Sequence, residues 1–415
     1  MDLKRDADAI IAAALHAAMP DTAVQKALES LPECRGRLVL VAAGKAAWQM
    51  AAAALAALDG RVDGGVVITK YGHSRGELPG VRVFEAGHPV PDENSYRATQ
   101  AAIDLVEPLT ADDLVLFLLS GGGSALFEKP LIPGEELAEL TRRLLASGAD
   151  IVEINTIRKR LSAVKGGRFA ELCAPAHVFS IVLSDIIGDP LDMIASGPAY
   201  PDSSTAEQAV RIAEKYGLPL SSKADALLRT ETPKKLEHVE THVTGSVRQL
   251  CAAAETTCRT LGYRPVVLTA SLCCEAREAG SFFASIAAYH QDAGESGEGR
   301  KRAFVAGGET VVHLRGTGMG GRNQELALAA AQGIAGMEGT ALFSLGSDGT
   351  DGPTDAAGGY VDGGTNAVLQ EKGIHIADVL ADNDAYHALR EVDGLLMTGA
   401  TGTNVNDLTV LLIRR

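Results

Sequence analysis

Gly307-Gly-Glu-Thr-Val-Val-His-Leu-Arg-Gly-Thr-Gly-Met-Gly-Gly-Arg-Asn-Gln-Glu325, followed by an alanine-rich run from Leu326 to Ala331, is the stretch on which the reading of this chain turns. The β-branched content of Thr310 to Leu314 predicts a strand. The helix formers from Gln324 onward, with apolar residues spaced to face a core, predict a helix opened by the glycine loop. A helix start gathers anions, because its first N–H groups lack partners and its dipole is positive there, and glycines let the backbone come close to a phosphate. Gly318, Gly320 and Gly321 would form that cradle, with Arg322 and Asn323 standing where the ligand would be.

The same loop spells G-x-G-x-x-G at Gly316, Gly318 and Gly321, the fingerprint of a dinucleotide site. Asp348 follows the next strand-like run, in the region where a ribose-binding acid is expected about 20 residues on. A glycine-rich turn that holds no ligand is the competing reading, since glycine is permissive in any loop.

Working outward, 415 residues exceed what one core supports and predict at least two domains. Aromatics are only 4% while alanine, glycine, valine and leucine dominate, which suits close-packed helices on a parallel sheet. A net charge of −15 with no basic stripe argues against nucleic acid, so an anionic substrate must be met by local cations. Cys34, Cys173, Cys251, Cys258, Cys273 and Cys274 form no C-x-x-C pair and no metal spacing, which predicts reduced thiols in a cytoplasmic protein. The apolar stretch Ile10 to Met19 is preceded by Asp6 and Asp8 and interrupted by His16, so an amphipathic first helix is expected rather than a signal peptide. No other run is long enough to span a membrane.

The chain then alternates. Strands are predicted at Arg37 to Ala42, Asp63 to Thr69, Val81 to Ala86, Leu114 to Leu119 and Val178 to Leu183, with helices from Gly44-Lys45 to Leu58 and from Ser95 to Val106. This pattern predicts an open parallel α/β sheet whose ligands lie beyond the carboxyl ends of the strands, placing Lys45 and the loop Ser120-Gly121-Gly122-Gly123-Ser124 on the rim. Neither is a Walker A loop, because Gly44-Lys45 is followed by Ala46 instead of Ser or Thr. An exposed lysine and a plain turn are the bland alternatives. A cation at a helix start opposes the dipole, and three glycines after an apolar strand imply close backbone approach.

Asn155 reads as an N-cap, which would place Arg158, Lys159 and Arg160 in a first helical turn, with Lys165 beyond. So many cations at a helix start suggest a phosphate or carboxylate site, against the alternative of a solvated charged face. Asp185 follows the strand Val178 to Leu183, where it could hold Mg²⁺ or accept a substrate proton. Asp189, before a proline, could bind substrate or shape a turn. The polar stretch Pro219 to Glu237 reads as a linker between domains 1–236 and 237–415. In the second domain, Asp348 and Asp351 sit in an acidic loop after the strand Ala341 to Leu345 and could hold Mg²⁺ on a phosphate or be solvated, and Asn404 lies in the closing turn.

Six motifs in order resemble those of the glycerate 2-kinase family, the class II glycerate kinases with a MOFRL carboxyl-terminal domain. They are Leu118 to Leu126, Asn155 to Arg168, Leu183 to Pro190, Gly307 to Thr310, Gly320 to Glu325 and Ser347 to Pro353. The resemblance spans nearly the whole chain. It implies two α/β domains: an N-terminal open parallel, Rossmann-like sheet with helices on both faces and a smaller C-terminal α/β domain, with the active-site cleft between them. It also implies transfer of phosphate from ATP, with Mg²⁺, to the 2-hydroxyl of D-glycerate. Lys45, Arg322 and Asp185 would act in catalysis. Ser120, Gly121, Gly122, Gly123, Ser124, Asn155, Arg158, Arg160, Lys165, Asp189, Glu309, Gly318, Gly320, Gly321, Asn323 and Asn404 would bind substrate or nucleotide, and Asp348 and Asp351 metal. ATP and D-glycerate are the expected partners, with neither nucleic acid nor membrane and with a homodimer as one admissible assembly. Some relatives carry a hydroxypyruvate reductase label, so an NAD(P)H-dependent reductase, for which His88 is the one motif histidine, is the alternative. A non-catalytic sugar-acid sensor is a third class and fits the acidic rim less well.

Overall fold

A computed structural model of the chain describes residues 3–184, 191–292 and 301–414. Its contacts divide it into two units, one built from 20–184 and 191–244 and the other from 3–19 and 245–414. The boundary drawn between 236 and 237 precedes a strand of the first sheet, and the first helix, Leu3–Ala17, groups with the second unit.

The first unit contains β1 (Leu38–Ala43), β2 (Gly64–Lys70), β3 (Val81–Ala86), β4 (Leu114–Leu119), β5 (His177–Leu183) and β6 (Val239–Thr244). All pair in parallel, in the order β3-β2-β1-β4-β5-β6. That is the doubly wound order, and it reverses direction between β1 and β4. The sequence dictates this placement. β1 (LVLVAA) and β4 (LVLFLL) are apolar at every position and buried at every position, as the centre of a sheet covered on both faces requires. Val39, Val41 and Phe117 face a core that includes Ala98, Ala102, Phe127 and Phe169, and each such large side chain contributes roughly 1.5–3 kcal/mol by leaving water.

Pro219 to Glu237 is not a linker. Ser222–Leu228 is a helix capped by Ser221, and Ala224 and Leu228 are buried in a second cluster with Leu140, Ile154, Ile157 and Ala209. A short helix with few apolar residues reads as polar chain until its partner helices are known.

The second unit carries β7 (Arg264–Leu272), β8 (Lys301–Gly308), β9 (Thr340–Gly346), β10 (Gly358–Asp362), β11 (Leu395–Leu396) and β12 (Asp407–Arg414) in the order β11-β10-β9-β12-β8-β7. Only β7 and β8 run parallel; the other pairings are antiparallel. The strand expected at Thr310 to Leu314 is absent. β8 lies earlier, and beyond Gly308 only Val311 makes an isolated bridge, to Glu275. Val311 and Leu314 are exposed, so β-branched content there meets no burying face, and propensity alone does not make a strand. The central position of β12 puts Asp407 opposite both Gly308 of β8 and Gly346 of β9, at the sheet end where the Arg322–Gly333 helix starts.

Candidate functional site

In the first unit the register brings Ala43 of β1 beside Leu119 of β4, so the segments that follow them meet at the point where strand order reverses. Lys45 N donates to the Gly121 carbonyl at 2.8 Å, and Ala46 N to Ser120 Oγ at 3.1 Å. The Ala47–Leu58 helix starts there with no side-chain cap, leaving its N-terminal dipole facing the same crevice. Lys45 is half-buried, and its ammonium has no ion-pair partner among the described residues. Gly122 turns the loop with φ +85°, a conformation that side chains resist.

The other end of the loop is tied to the run of cations. Arg158 donates to the Ser124 carbonyl at 2.9 Å, and Ser124 Oγ lies 3.3 Å from Ser196 Oγ, which donates to Asn155 Oδ1 at 3.0 Å. Asn155 is not an N-cap, however. The helix is Ile151–Arg160, capped by Asp150 in a capping box with Glu153, so the three cations lie in its last turn, where they favour the dipole. Most are not open to a ligand. Lys159 reaches Asp202 at 3.0 Å, Arg160 bonds Ser204 at 2.9 Å, and Lys165 meets Glu128 at 2.7 Å with both side chains 0% exposed. Burial pushes the Lys165 ammonium down to about 8, against the pull of Glu128. This patch is a buried ion-pair lattice, and Arg158 at its edge is the one cation in contact with the loop. Asp185 and Asp189 lie outside the described residues.

In the second unit, Arg322 opens its helix and is clamped by Asp407 in a bidentate pair, Nε to Oδ2 at 2.6 Å and Nη2 to Oδ1 at 2.9 Å. Its remaining nitrogen, Nη1, lies 3.2 Å from Glu309 Oε1, while Asn406 donates to Glu309 Oε2 at 3.2 Å. Burial works against the Arg322 charge, but the Asp407 pair outweighs it and holds the guanidinium protonated. Thr310 Oγ1 and Asn406 Oδ1 nearby are buried with no hydrogen-bond partner among the described residues.

The glycine loop before Arg322 is not an open cradle. Arg315 N and Gly316 N donate to Asn383 Oδ1, Thr317 N to Asp382 Oδ1, Gly318 N to the Asp382 carbonyl and Met319 N to Asp384 Oδ1. A Cβ on Gly318 would lie 2.6 Å from the Asp382 carbonyl oxygen, so glycine is required there for packing against 382–384. Gly320 and Gly321 likewise pack on protein, against Ala385 and Asp351. Asn323 is buried, bonded to Asp351 and to Ser344, and Asn404 is exposed while its neighbour Asn406 turns inward.

The acidic loop does not fit a protein-built metal centre. Asp351 accepts from Asn323 N, Asn323 Nδ2 and Gln324 N, which commits both its oxygens to the helix start, and burial raises its carboxyl to about 6. Asp348 folds back on Thr350 through N and Oγ1. Among the described residues no group of three or more His, Cys, Asp or Glu side chains is placed to hold a metal ion.

Sequence reasoning missed Asp407, Asn406 and the 382–384 clamp. Asp407 stood in plain view as the last residue before an apolar strand, but its importance depends on antiparallel pairing with β8 and β9, which no local pattern reports. The true helix start was legible as Asp150-x-x-Glu153, a capping-box signature.

Residues 6–229 match the family described as "Domain of unknown function (DUF4147)", and residues 302–407 match the MOFRL family. The chain is 51% identical to a D-glycerate 2-kinase of Thermotoga maritima, over 99% of this chain and 98% of that protein. It is 40% identical to a glycerate 2-kinase of Pyrococcus horikoshii, over 100% of this chain and 98% of that protein. A crystal structure of a glycerate kinase from Thermotoga maritima superposes with a TM-score of 0.94 at 51% identity, covering 99% of both chains.

Proposed function

The chain belongs to the MOFRL family of glycerate kinases, and from that premise we propose that it transfers the terminal phosphoryl group of ATP to the 2-hydroxyl of D-glycerate, giving 2-phosphoglycerate and ADP. One observation carries the reading beyond the family. At the point where the Rossmann-like strand order reverses, Lys45 offers an ammonium with no partner of its own among the described residues, beside a glycine loop and an uncapped helix start. Phosphoryl transfer asks the protein mainly for positioning and for neutralisation of charge on the moving group. Lys45 supplies that charge. The backbone of Gly121 to Gly123, Ser120 and Ser124 line the approach, and Arg158 fixes the far end of the loop through the Ser124 carbonyl.

Arg322 is the second catalytic cation in this reading. Asp407 fixes its plane and leaves Nη1 to face a substrate anion, with the half-exposed Glu309 holding that nitrogen meanwhile. Mg²⁺ would be held chiefly by the substrate's phosphates rather than by a protein cage, and would supply further neutralisation of their charge. Asp348 and Asp351 are not assigned to it. ATP supply and six free cysteines favour the cytoplasm, and no described helix is long and apolar enough to cross a membrane.

The reductase alternative needs the fingerprint loop as a pyrophosphate site. The amides of that loop are committed to Asp382, Asn383 and Asp384, which weighs against it. The deciding assay offers the purified protein ATP, Mg²⁺ and D-glycerate in one cuvette and NADH or NADPH with hydroxypyruvate in another. Release of ADP in the first with no nicotinamide oxidation in the second is the expected result, and the reverse removes the kinase reading.

A further inference from the structure

His88 follows β3 and carries the one ring at this crevice that nothing engages. His73 Nδ1 lies 3.2 Å from the Lys45 carbonyl, whereas His88 has no hydrogen-bond or ion-pair partner among the described residues. Its position is defined by the glycine loop. A Cβ placed on Gly122 would lie 3.1 Å from His88 Cδ2, 3.2 Å from His88 Nε2 and 3.2 Å from Lys45 Cγ. The imidazole edge, the lysine stem and the turn therefore converge on one small space that only a glycine at 122 leaves open. Among the described residues, other groups there are already engaged. Ser120 Oγ accepts from Ala46 N, Asp92 accepts from Ser95 N and Tyr71 while capping the Glu93–Val106 helix, and His73 is held through Nδ1.

Resting on the glycerate-kinase reading, we infer that His88 is a catalytic base, whose Nε2 takes the proton of the substrate's 2-hydroxyl during phosphoryl transfer. As the hydroxyl oxygen forms its bond to the γ-phosphorus, the bond from that phosphorus to the β–γ bridging oxygen breaks, and its electron pair leaves on ADP. The proton rests on the imidazolium and passes to water when the product departs. Lys45, whose stem borders the same space at Gly122, balances the charge on the moving phosphoryl group. Such a base must be neutral in the working enzyme, with one ring nitrogen bearing a lone pair. Burial first, then the charges of Lys45 and Lys70 and the ring of His73, hold the His88 imidazolium below the ordinary histidine range.

The test measures kcat and kcat/KM for wild type, His88→Asn and His88→Gln between pH 5 and 8.5, reading ADP formation, with ATP affinity and thermal melting recorded on the same samples. Wild-type kcat/KM should fall in acid through an apparent pKa below about 6.5, the ordinary imidazole value. Both variants should lose on the order of 10²-fold or more in kcat, keep ATP affinity within about twofold, lack the acid limb and regain part of the rate with added imidazole. Variants that keep wild-type kcat and its acid limb overturn the assignment. So does a wild-type rate that falls through that pKa as pH rises, which would make the ring a proton donor, or a loss confined to KM for ATP. A wild type that releases no ADP with D-glycerate overturns the kinase reading itself, and is told apart because the failure is then not specific to the variants.

Discussion

Asp407→Asn is the perturbation whose size follows most directly from the geometry. The substitution keeps the shape of the side chain and one acceptor oxygen but removes the charge, and it turns an NH₂ toward a guanidinium N–H. One of two charge-assisted bonds to Arg322, at 2.6 and 2.9 Å, is lost. A hydrogen bond to a charged group is worth roughly 1.5–3 kcal/mol, so the observed plane of Arg322 loses about that much preference over its alternatives. At about 1.4 kcal/mol per tenfold, the fraction of enzyme with Arg322 correctly aimed should fall roughly 10- to 100-fold. A misplacement of about 1 Å is enough to produce an effect of that size. If Arg322 acts on the transition state alone, kcat and kcat/KM should fall together, with ATP affinity little changed. Steady-state ADP release, with thermal melting as the control for folding, reads all of this. Turnover within about twofold of wild type in a folded Asp407→Asn protein would refute the claim that Asp407 positions a catalytic arginine.

Lys45→Met should lower kcat by roughly 10²-fold or more without lowering the melting temperature, since the ammonium makes no ion pair among the described residues; a stability loss with full activity would reverse the assignment. Glu128→Leu leaves the Lys165 ammonium buried and unpaired and should cost about 3–5 kcal/mol in urea unfolding, whereas Glu128→Leu with Lys165→Met should recover most of it. Equal stability of the single and double variants would contradict the buried pair. Burial alone would raise the Asp202 carboxyl, but Lys159, Thr232 and the Ser204 amide hold it below the ordinary range. Its stabilisation is therefore present above the unfolded value near about 3.9 and is lost as pH falls through the lower folded value. The stability gap between wild type and Asp202→Asn should accordingly be wide at pH 7 and close below about pH 4, and a gap independent of pH would count against the charge. Gly318→Ala should displace the loop from 382–384 and lower both melting temperature and kcat, and an unperturbed variant would show that the close approach is dispensable.

The parallel sheet was legible because β1 and β4 are apolar at every position, and that pattern has few other uses. The rim loops followed from it, since the segments after β1 and β4 must lie at the carboxyl end of the sheet, and Lys45 and Ser120 to Ser124 do meet there. What was not legible depended on partners distant in sequence. Arg160 and Lys165 look like ligand-binding cations until Asp202 and Glu128 are folded against them. The G-x-G-x-x-G spacing looks like a phosphate loop until 382–384 arrives to take up its amides, because glycine serves close approach to protein as well as to phosphate. Asp351 reads as a metal ligand by type, yet here it caps the helix that carries Arg322.

The position of the phosphate on the product tests the central claim most directly. After incubation with ATP, Mg²⁺ and D-glycerate, enolase is added alone, with no phosphoglycerate mutase present, and phosphoenolpyruvate is followed by its absorbance. A kinase acting on the 2-hydroxyl predicts immediate and stoichiometric conversion to phosphoenolpyruvate. Formation of phosphoenolpyruvate only after a mutase is supplied would place the phosphate on the 3-hydroxyl and contradict the account.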